Sequence, residues 1–224
     1  MEQEQIPQAP EVKVPEPTYS GSFSHGWEIM KKNFLELLLV LIIQVLMSLP
    51  LGFADVFIDQ DTYGNAFYSL FNVAYALIVL TPVSYGSTMV FLKAVRGEPF
   101  KASEIFYAFQ QIWNIVLANL LVGVIVGIGF ILLIVPGIIF ACKLAFVPYL
   151  VMDQKMEAMD AVRKSWNMTK GYSWTIFGMG IMSFFIVLGG LICLFVGIIP
   201  AVIWISAAFA TLYHAVASKQ QGQV

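Results

Sequence analysis

From Trp113 to Met152 the chain carries one charged side chain, Lys143. A soluble fold has to cover its core with a polar surface, and so long a stretch with almost no charge cannot supply one. The remaining charges cluster into short segments. Between them lie apolar runs at residues 34–53, 65–95, 113–135, 138–152 and 174–196, and a last run that follows a GIIP turn and ends near residue 217. About 20 apolar residues in a helix cross the roughly 30 Å hydrocarbon layer of a bilayer. Only 12% of the 224 residues are charged, against about 25% in soluble domains. Mean hydropathy is +0.80. These features predict an all-α, polytopic membrane protein with six transmembrane helices. Residues 19–218 form the transmembrane domain, residues 1–18 a proline-rich disordered tail, and residues 219–224 a polar tail.

Three amphipathic segments precede the odd-numbered spans. In the first, Phe23, Trp27, Met30 and Phe34 share a helical face beside Lys31 and Lys32. In the second, Ile105, Phe106, Phe109, Ile112 and Trp113 do so, with Ser103 as N-cap and Glu104 in the first turn. In the third, Met156, Met159, Val162 and Trp166 oppose Glu157, Asp160, Arg163 and Lys164. Each is expected to lie at the membrane interface. Pro50, Pro136 and Pro200 sit near the following turns. This suggests a weak threefold helix-hairpin repeat, although independent use of proline at helix starts accounts for the same pattern. Pro136 and Gly137 read as a very short turn. Pro82 should kink the second span, with Thr81 and Ser84 satisfying the freed backbone groups. Gly123 with Gly127, the small residues of the fifth span (Gly178, Ser183, Gly189, Gly190), and Ser206 with its alanine neighbours read as helix-packing positions.

With six spans, eleven of the twelve lysines and arginines fall on one side. The opposite loop carries Asp55, Asp59 and Asp61 and no basic residue. The positive-inside rule then places both termini and all three amphipathic segments in the cytoplasm.

Lys143 is the exception, and two readings stay open. Its long side chain can snorkel to the outer interface or pair structurally. Alternatively it faces a polar cavity shared with Glu36, Gln44, Asn72 or Ser84, since a charge within the bilayer is a functional candidate. Arg163, Lys164, Trp166 and Lys170 are candidate contacts for anionic lipid headgroups.

No catalytic constellation is visible. His25 and His214 lack metal-ligand spacing, and no GxSxG or nucleotide-binding loop occurs. The pattern implies no cofactor and no metal. The net charge of −2 argues against a nucleic-acid partner. Cys142 and Cys193 sit in apolar runs without CxxC spacing and read as packing residues.

The stretch from Leu132 to Gly178 carries a P-G pair at Pro136, a Pro148-Tyr149 step, Asp153, and an A-x-x-x-S-W-x-x-T-K-G run from Ala161 to Gly171. With TPVSYG and RGEPFKASEIFYAF earlier in the chain, it resembles a bacterial six-span membrane family. That family includes the membrane domain attached to some glycerophosphodiester phosphodiesterases and the YciC-type inner-membrane proteins. The resemblance implies an integral module of the bacterial inner membrane without an established activity of its own. The phosphodiesterase barrel is absent from this chain. The resulting expectation is a non-enzymatic accessory or scaffold protein that engages membrane lipids and other membrane proteins. The competing expectation is a small-solute or lipid transporter with its cavity near Lys143.

Overall fold

The computed structural model describes residues 16–57, 64–192 and 197–221, with side chains placed for 16–51, 68–192 and 197–220. Most of the N-terminal tail, Asp59, Asp61 and Cys193 lie outside the described residues, as does the side chain of Asp55. The described residues contain helices and no strands: α1 (Tyr19–Lys32), α2 (Phe34–Phe57), α3 (Gly64–Tyr75), α4 (Thr81–Arg96), α5 (Ile112–Leu132), α6 (Ile134–Leu144), α7 (Val147–Asp153), α8 (Ala158–Met168), α9 (Ser173–Ile192) and α10 (Ile198–Gln221). A π-helical turn, Ala76–Leu80, joins α3 to α4, and a 3₁₀ helix, Ala102–Gln111, leads into α5. Six helical stretches are long and apolar enough to cross a membrane.

These stretches fall into two classes. The second, fourth and sixth (Tyr68–Arg96, Ile134–Asp153, Ile198–Gln220) are 44–50% buried within the protein, whereas the first, third and fifth are 11–17% buried. The even-numbered spans therefore make the centre and the odd-numbered spans an outer layer. Each third of the chain repeats one layout: amphipathic segment, outer span, inner span. The outer surface presents apolar side chains such as Leu35, Leu46, Phe184 and Phe185, as expected of a chain solvated by lipid.

The amphipathic segments dock on the bundle. α1 packs on α10, where Gly26 lies so close to Ala207 and Ala208 that an added Cβ would meet the Ala208 nitrogen at 2.7 Å. The Trp204 indole donates to the Phe23 carbonyl at 2.8 Å, and the Trp27 and Trp204 rings stand edge to face at 4.8 Å. Phe23 and Met30 are buried as the periodicity predicts, while Trp27 is partly exposed and Phe34 begins the next helix.

The second segment departs from its α-helical reading. Ala102–Gln111 is 3₁₀, the helix begins one residue before Ser103, and no side chain caps it. With three residues per turn, Ile105 and Ala108 share the buried face, leaving Phe106 and Tyr107 exposed. The cause is backbone contact with α4: a Cβ on Gly86 would lie 2.1 Å from the Ile105 carbonyl oxygen. Only the narrower helix brings that carbonyl against a glycine. Glu104 does lie in the first turn, and it pairs with Lys93 at 2.6 Å.

The prolines also separate. Pro82 lacks the donor that would complete a regular turn, and the helix widens just before it. The Thr81 hydroxyl donates to the Ala76 carbonyl at 3.0 Å, but Ser84 contributes only its own carbonyl, as acceptor to Ser87 and Thr88. Pro136 and Gly137 are not the turn between α5 and α6. The turn is Leu133 alone, and Pro136 sits in the first turn of α6, where a missing donor costs least. Pro200 holds the same place in α10, but Pro50 lies inside α2. The proline part of the threefold pattern therefore covers two copies.

Glycine positions divide in the same way. Gly129 faces Gly137, and Gly190 faces Gly197, at distances that exclude a Cβ. Gly123, Gly127, Gly178 and Gly189 would place a Cβ in open space, so they are not the close helix contacts their spacing suggested.

Substituting Gly86→Ala should destabilise the protein by about 1–3 kcal/mol through overpacking, while Gly178→Ala should be neutral or slightly stabilising. Thermal unfolding of purified protein in detergent micelles checks both.

Candidate functional site

Three inner helices meet at one polar cluster. α4 finishes at Arg96, where Gly97 takes the left-handed conformation (φ 69°) that closes the helix. α7 finishes at Asp153, and Tyr213 projects from α10. The Arg96 guanidinium binds both Asp153 carboxylate oxygens, at 2.6 and 2.7 Å. The Tyr213 hydroxyl donates to Asp153 at 2.9 Å and accepts from the Gln154 amide at 3.2 Å. Lys164 of α8 donates to Gln154 at 2.5 Å. Tyr149 stacks on the Tyr213 ring at 4.8 Å, and Phe146 meets it edge on. A bidentate pair under aromatic cover joins the second, fourth and sixth spans. Geometry of this quality stabilises a partly buried ion pair because the remaining lone pairs are also satisfied.

The cluster also positions α8. The N-terminus of α8 has no cap from its own side chains. Asn114 of α5 supplies it: its oxygen accepts from the Ala158 N–H and its NH₂ donates to the Met156 carbonyl, both at 2.8 Å. At the other end, Ser165 and Thr169 hydroxyls donate to the Lys143 carbonyl at 2.8 and 3.2 Å. α8 is thus tied to α5 at its start and to the C-terminal end of α6 at its finish.

This tie fixes Lys143. Its ammonium lies 5.9 Å from the centre of the Trp166 ring, in cation–π range, and Phe140 packs on the same indole at 5.5 Å. No carboxylate pairs with Lys143 among the described residues. The side chain reaches toward α8, at the end of α6 away from the Leu133 turn. The expected snorkel toward that turn is therefore corrected: α8 offers Trp166 as a nearer cation-binding surface.

The proposed polar set around Lys143 does not assemble there. Gln44 donates to the Ser87 hydroxyl at 2.6 Å, and Ser87 in turn donates to the Ser84 carbonyl at 2.7 Å. Ser84 and Glu36 are exposed. The Asn72 side-chain oxygen is buried without a partner. Among the candidate headgroup contacts, Arg163 and Lys170 are exposed, Trp166 is half-buried against Lys143, and Lys164 is drawn inward to Gln154.

Beside Lys143, α6 and the start of α9 enclose an apolar groove of about 400 Å³, lined by Val135, Ile138, Ile139, Cys142, Trp174 and Phe177. The Ser173 hydroxyl at its mouth donates to the Thr169 carbonyl at 3.1 Å, and the Thr169 hydroxyl donates to the Lys143 backbone carbonyl. Gly171, with a φ of 87°, makes the sharp α8–α9 turn.

The residues that sequence reading passed over are Arg96, Tyr213 and Asn114. Arg96 counted there only as a loop charge, and a tyrosine or asparagine near a span end looks like an ordinary interfacial residue. Asp153 did stand out, as part of the pattern that carries the family resemblance.

Helices of this length and composition around a polar clasp define a polytopic integral membrane protein. The chain is 30% identical over 120 residues to UPF0259 membrane proteins from two strains of Buchnera aphidicola, subspecies Acyrthosiphon pisum: strain 5A and strain APS. The aligned region covers 51% of this chain and 47% of each relative, so the chain spans about half the length of the curated relatives it matches. Those names state a membrane protein and no activity. No family model matches the chain, and no solved structure does. A phosphodiesterase-linked membrane domain is not among these likenesses.

Asp153→Ala should leave the partly buried Arg96 with only the exposed Glu98, 3.9 Å away, as a carboxylate partner and cost about 2–3 kcal/mol. Tyr213→Phe should cost about 1 kcal/mol. The Asp153→Ala/Arg96→Ala double variant should lose less than the sum of the singles. Denaturant titration in mixed micelles measures all four.

Proposed function

We propose that this chain is a non-enzymatic accessory or scaffold module of the bacterial inner membrane, with both termini in the cytoplasm, that engages anionic phospholipids at the Lys143 corner. In this reading residues 19–218 act as one transmembrane unit between two polar tails. The observation that carries it is the Lys143 ammonium, held over Trp166 with no counter-carboxylate among the described residues and set beside an apolar groove. A phosphate group supplies the missing negative charge, and an acyl chain fits the wholly apolar groove. Exposed Arg163 and Lys170 flank the same helix and turn, and each basic residue near an anionic leaflet contributes about 1 kcal/mol. Trp174, at the groove mouth, is 83% exposed, and an indole is stabilised where its apolar ring meets the headgroup layer. The transporter reading needs Lys143 to face a polar cavity. Its position on Trp166 favours the lipid-binding reading instead.

Native mass spectrometry of protein from mixed micelles tests this. The wild type should retain phosphatidylglycerol over phosphatidylcholine. Lys143→Met should reduce that preference about fivefold, and Lys143→Arg should keep most of it. Equal retention of the two lipids by the wild type would sink the proposal.

A further inference from the structure

Another cavity lies on a different side of the inner helices and shares no lining residue with the groove beside Lys143. It holds about 520 Å³ between α4, α5 and the α6–α7 break, and its walls include Tyr85, Asn119, Gly123, Gly127, Leu144 and Pro148. All of these belong to stretches that can cross the membrane. Two polar side chains converge on it. Tyr85 is 4% exposed, yet its hydroxyl makes no hydrogen bond among the described residues, and neither does the Asn119 amide. Their polar atoms are open to the cavity and are not sealed in protein, and a hydroxyl or amide kept from water without a partner costs about 1–3 kcal/mol. Pro148 adds a third group: it has no N–H, so the Leu144 carbonyl loses its helical donor. Broken helices in membranes are tolerated where the freed backbone lines a cavity.

The glycines supply the space. An added Cβ at Gly123 or Gly127 would meet nothing within 4 Å, so these positions hold the cavity open and serve no close helix contact. Gly123 is exposed at the protein surface, which opens the cavity sideways to hydrocarbon. None of the lining residues is charged, and Lys143, next to Leu144 in sequence, is turned away onto Trp166. A charged headgroup here would be buried without a counter-ion, which is strongly unfavourable. A hydroxyl can both donate and accept, matching the donor and acceptor capacities of Tyr85 and Asn119 and the acceptor at Leu144.

We propose that this cavity binds the head of an uncharged, hydroxyl-bearing lipid of the diacylglycerol type, which enters from the bilayer past Gly123. The volume suits a glycerol head and the first carbons of its chains, within the usual range of ligand pockets. The remainder of the chains stays in the hydrocarbon. This site is independent of the phosphate-binding corner at Lys143.

The test is photolabelling in nanodiscs with a diazirine-bearing dioleoylglycerol, competed by unlabelled dioleoylglycerol or dioleoylphosphatidylglycerol. On the wild type, label should map to α5 and α6–α7 and be displaced by dioleoylglycerol only. Tyr85→Phe should weaken half-maximal competition about fivefold, the expected loss for one hydrogen bond. Gly123→Leu should remove labelling by filling the cavity while the midpoint of thermal unfolding holds. If Gly123→Leu fails to fold, Tyr85→Phe, which removes a single oxygen, decides alone. Lys143→Met should leave this labelling unchanged, so the two lipid sites stand or fall separately. Labelling unaltered by Tyr85→Phe, or displaced equally by the phosphatidylglycerol, overturns the proposal.

Discussion

Arg96, Asp153 and Tyr213 come from three helices and meet where two of them, α4 and α7, end. Their contact sets the level of the second, fourth and sixth spans relative to one another. In lipid, apolar helix surfaces gain little by leaving the solvent for each other, so directional polar contacts and close backbone approach decide register. The clasp supplies the polar contact. Gly26 on Ala208 and Gly86 on the Ile105 carbonyl supply the close approach. Most of the fully buried residues of α4, α7 and α10 lie in the half of the molecule near the clasp, including Leu92, Leu150, Leu212 and Val216. The far half presents its helices to lipid, with Ile131, Leu132, Leu133 and Ile134 exposed around the α5–α6 turn.

From the clasp the order passes to α8. Gln154 and Lys164 bind the helix to it from one side, Asn114 caps the helix start, and the Lys143 carbonyl holds its end. Lys143 and Trp166 therefore meet because α8 is fastened at both ends. The break between α6 and α7 serves two surfaces. On one side the Lys143 carbonyl accepts the α8 hydroxyls; on the other, Leu144 and Pro148 line an uncharged cavity. One interruption in one span thus separates a cationic corner from a neutral pocket.

Much of this architecture was legible in the chain. Six apolar runs and three amphipathic segments are one-dimensional signals, because a bilayer imposes a length and an interface imposes a period. A distortion at Pro82 was readable as well, since a proline leaves the carbonyl four residues before it without a donor, but the Thr81 hydroxyl goes to Ala76, six residues before the proline. Less visible was which partner each polar residue takes. Gln44 could be assigned to an intramembrane polar set, but its bond to Ser87 depends on how α2 crosses α4. Lys143 could be flagged as anomalous, but its direction depends on α8, more than twenty residues later.

The sequence by itself determined the class of protein, the number of candidate spans and the presence of interfacial segments, because these follow from local composition and spacing. Only the tertiary structure decided that even-numbered spans form the core, that the segment 102–111 tightens to 3₁₀ to reach Gly86, and that Gly123 and Gly127 enclose space. It alone joined Arg96 to Asp153 and Lys143 to Trp166. These are pairings between distant positions, and several chemically equivalent partners were present for each. Helix level and rotation selected among them, and both depend on contacts from every neighbouring helix together.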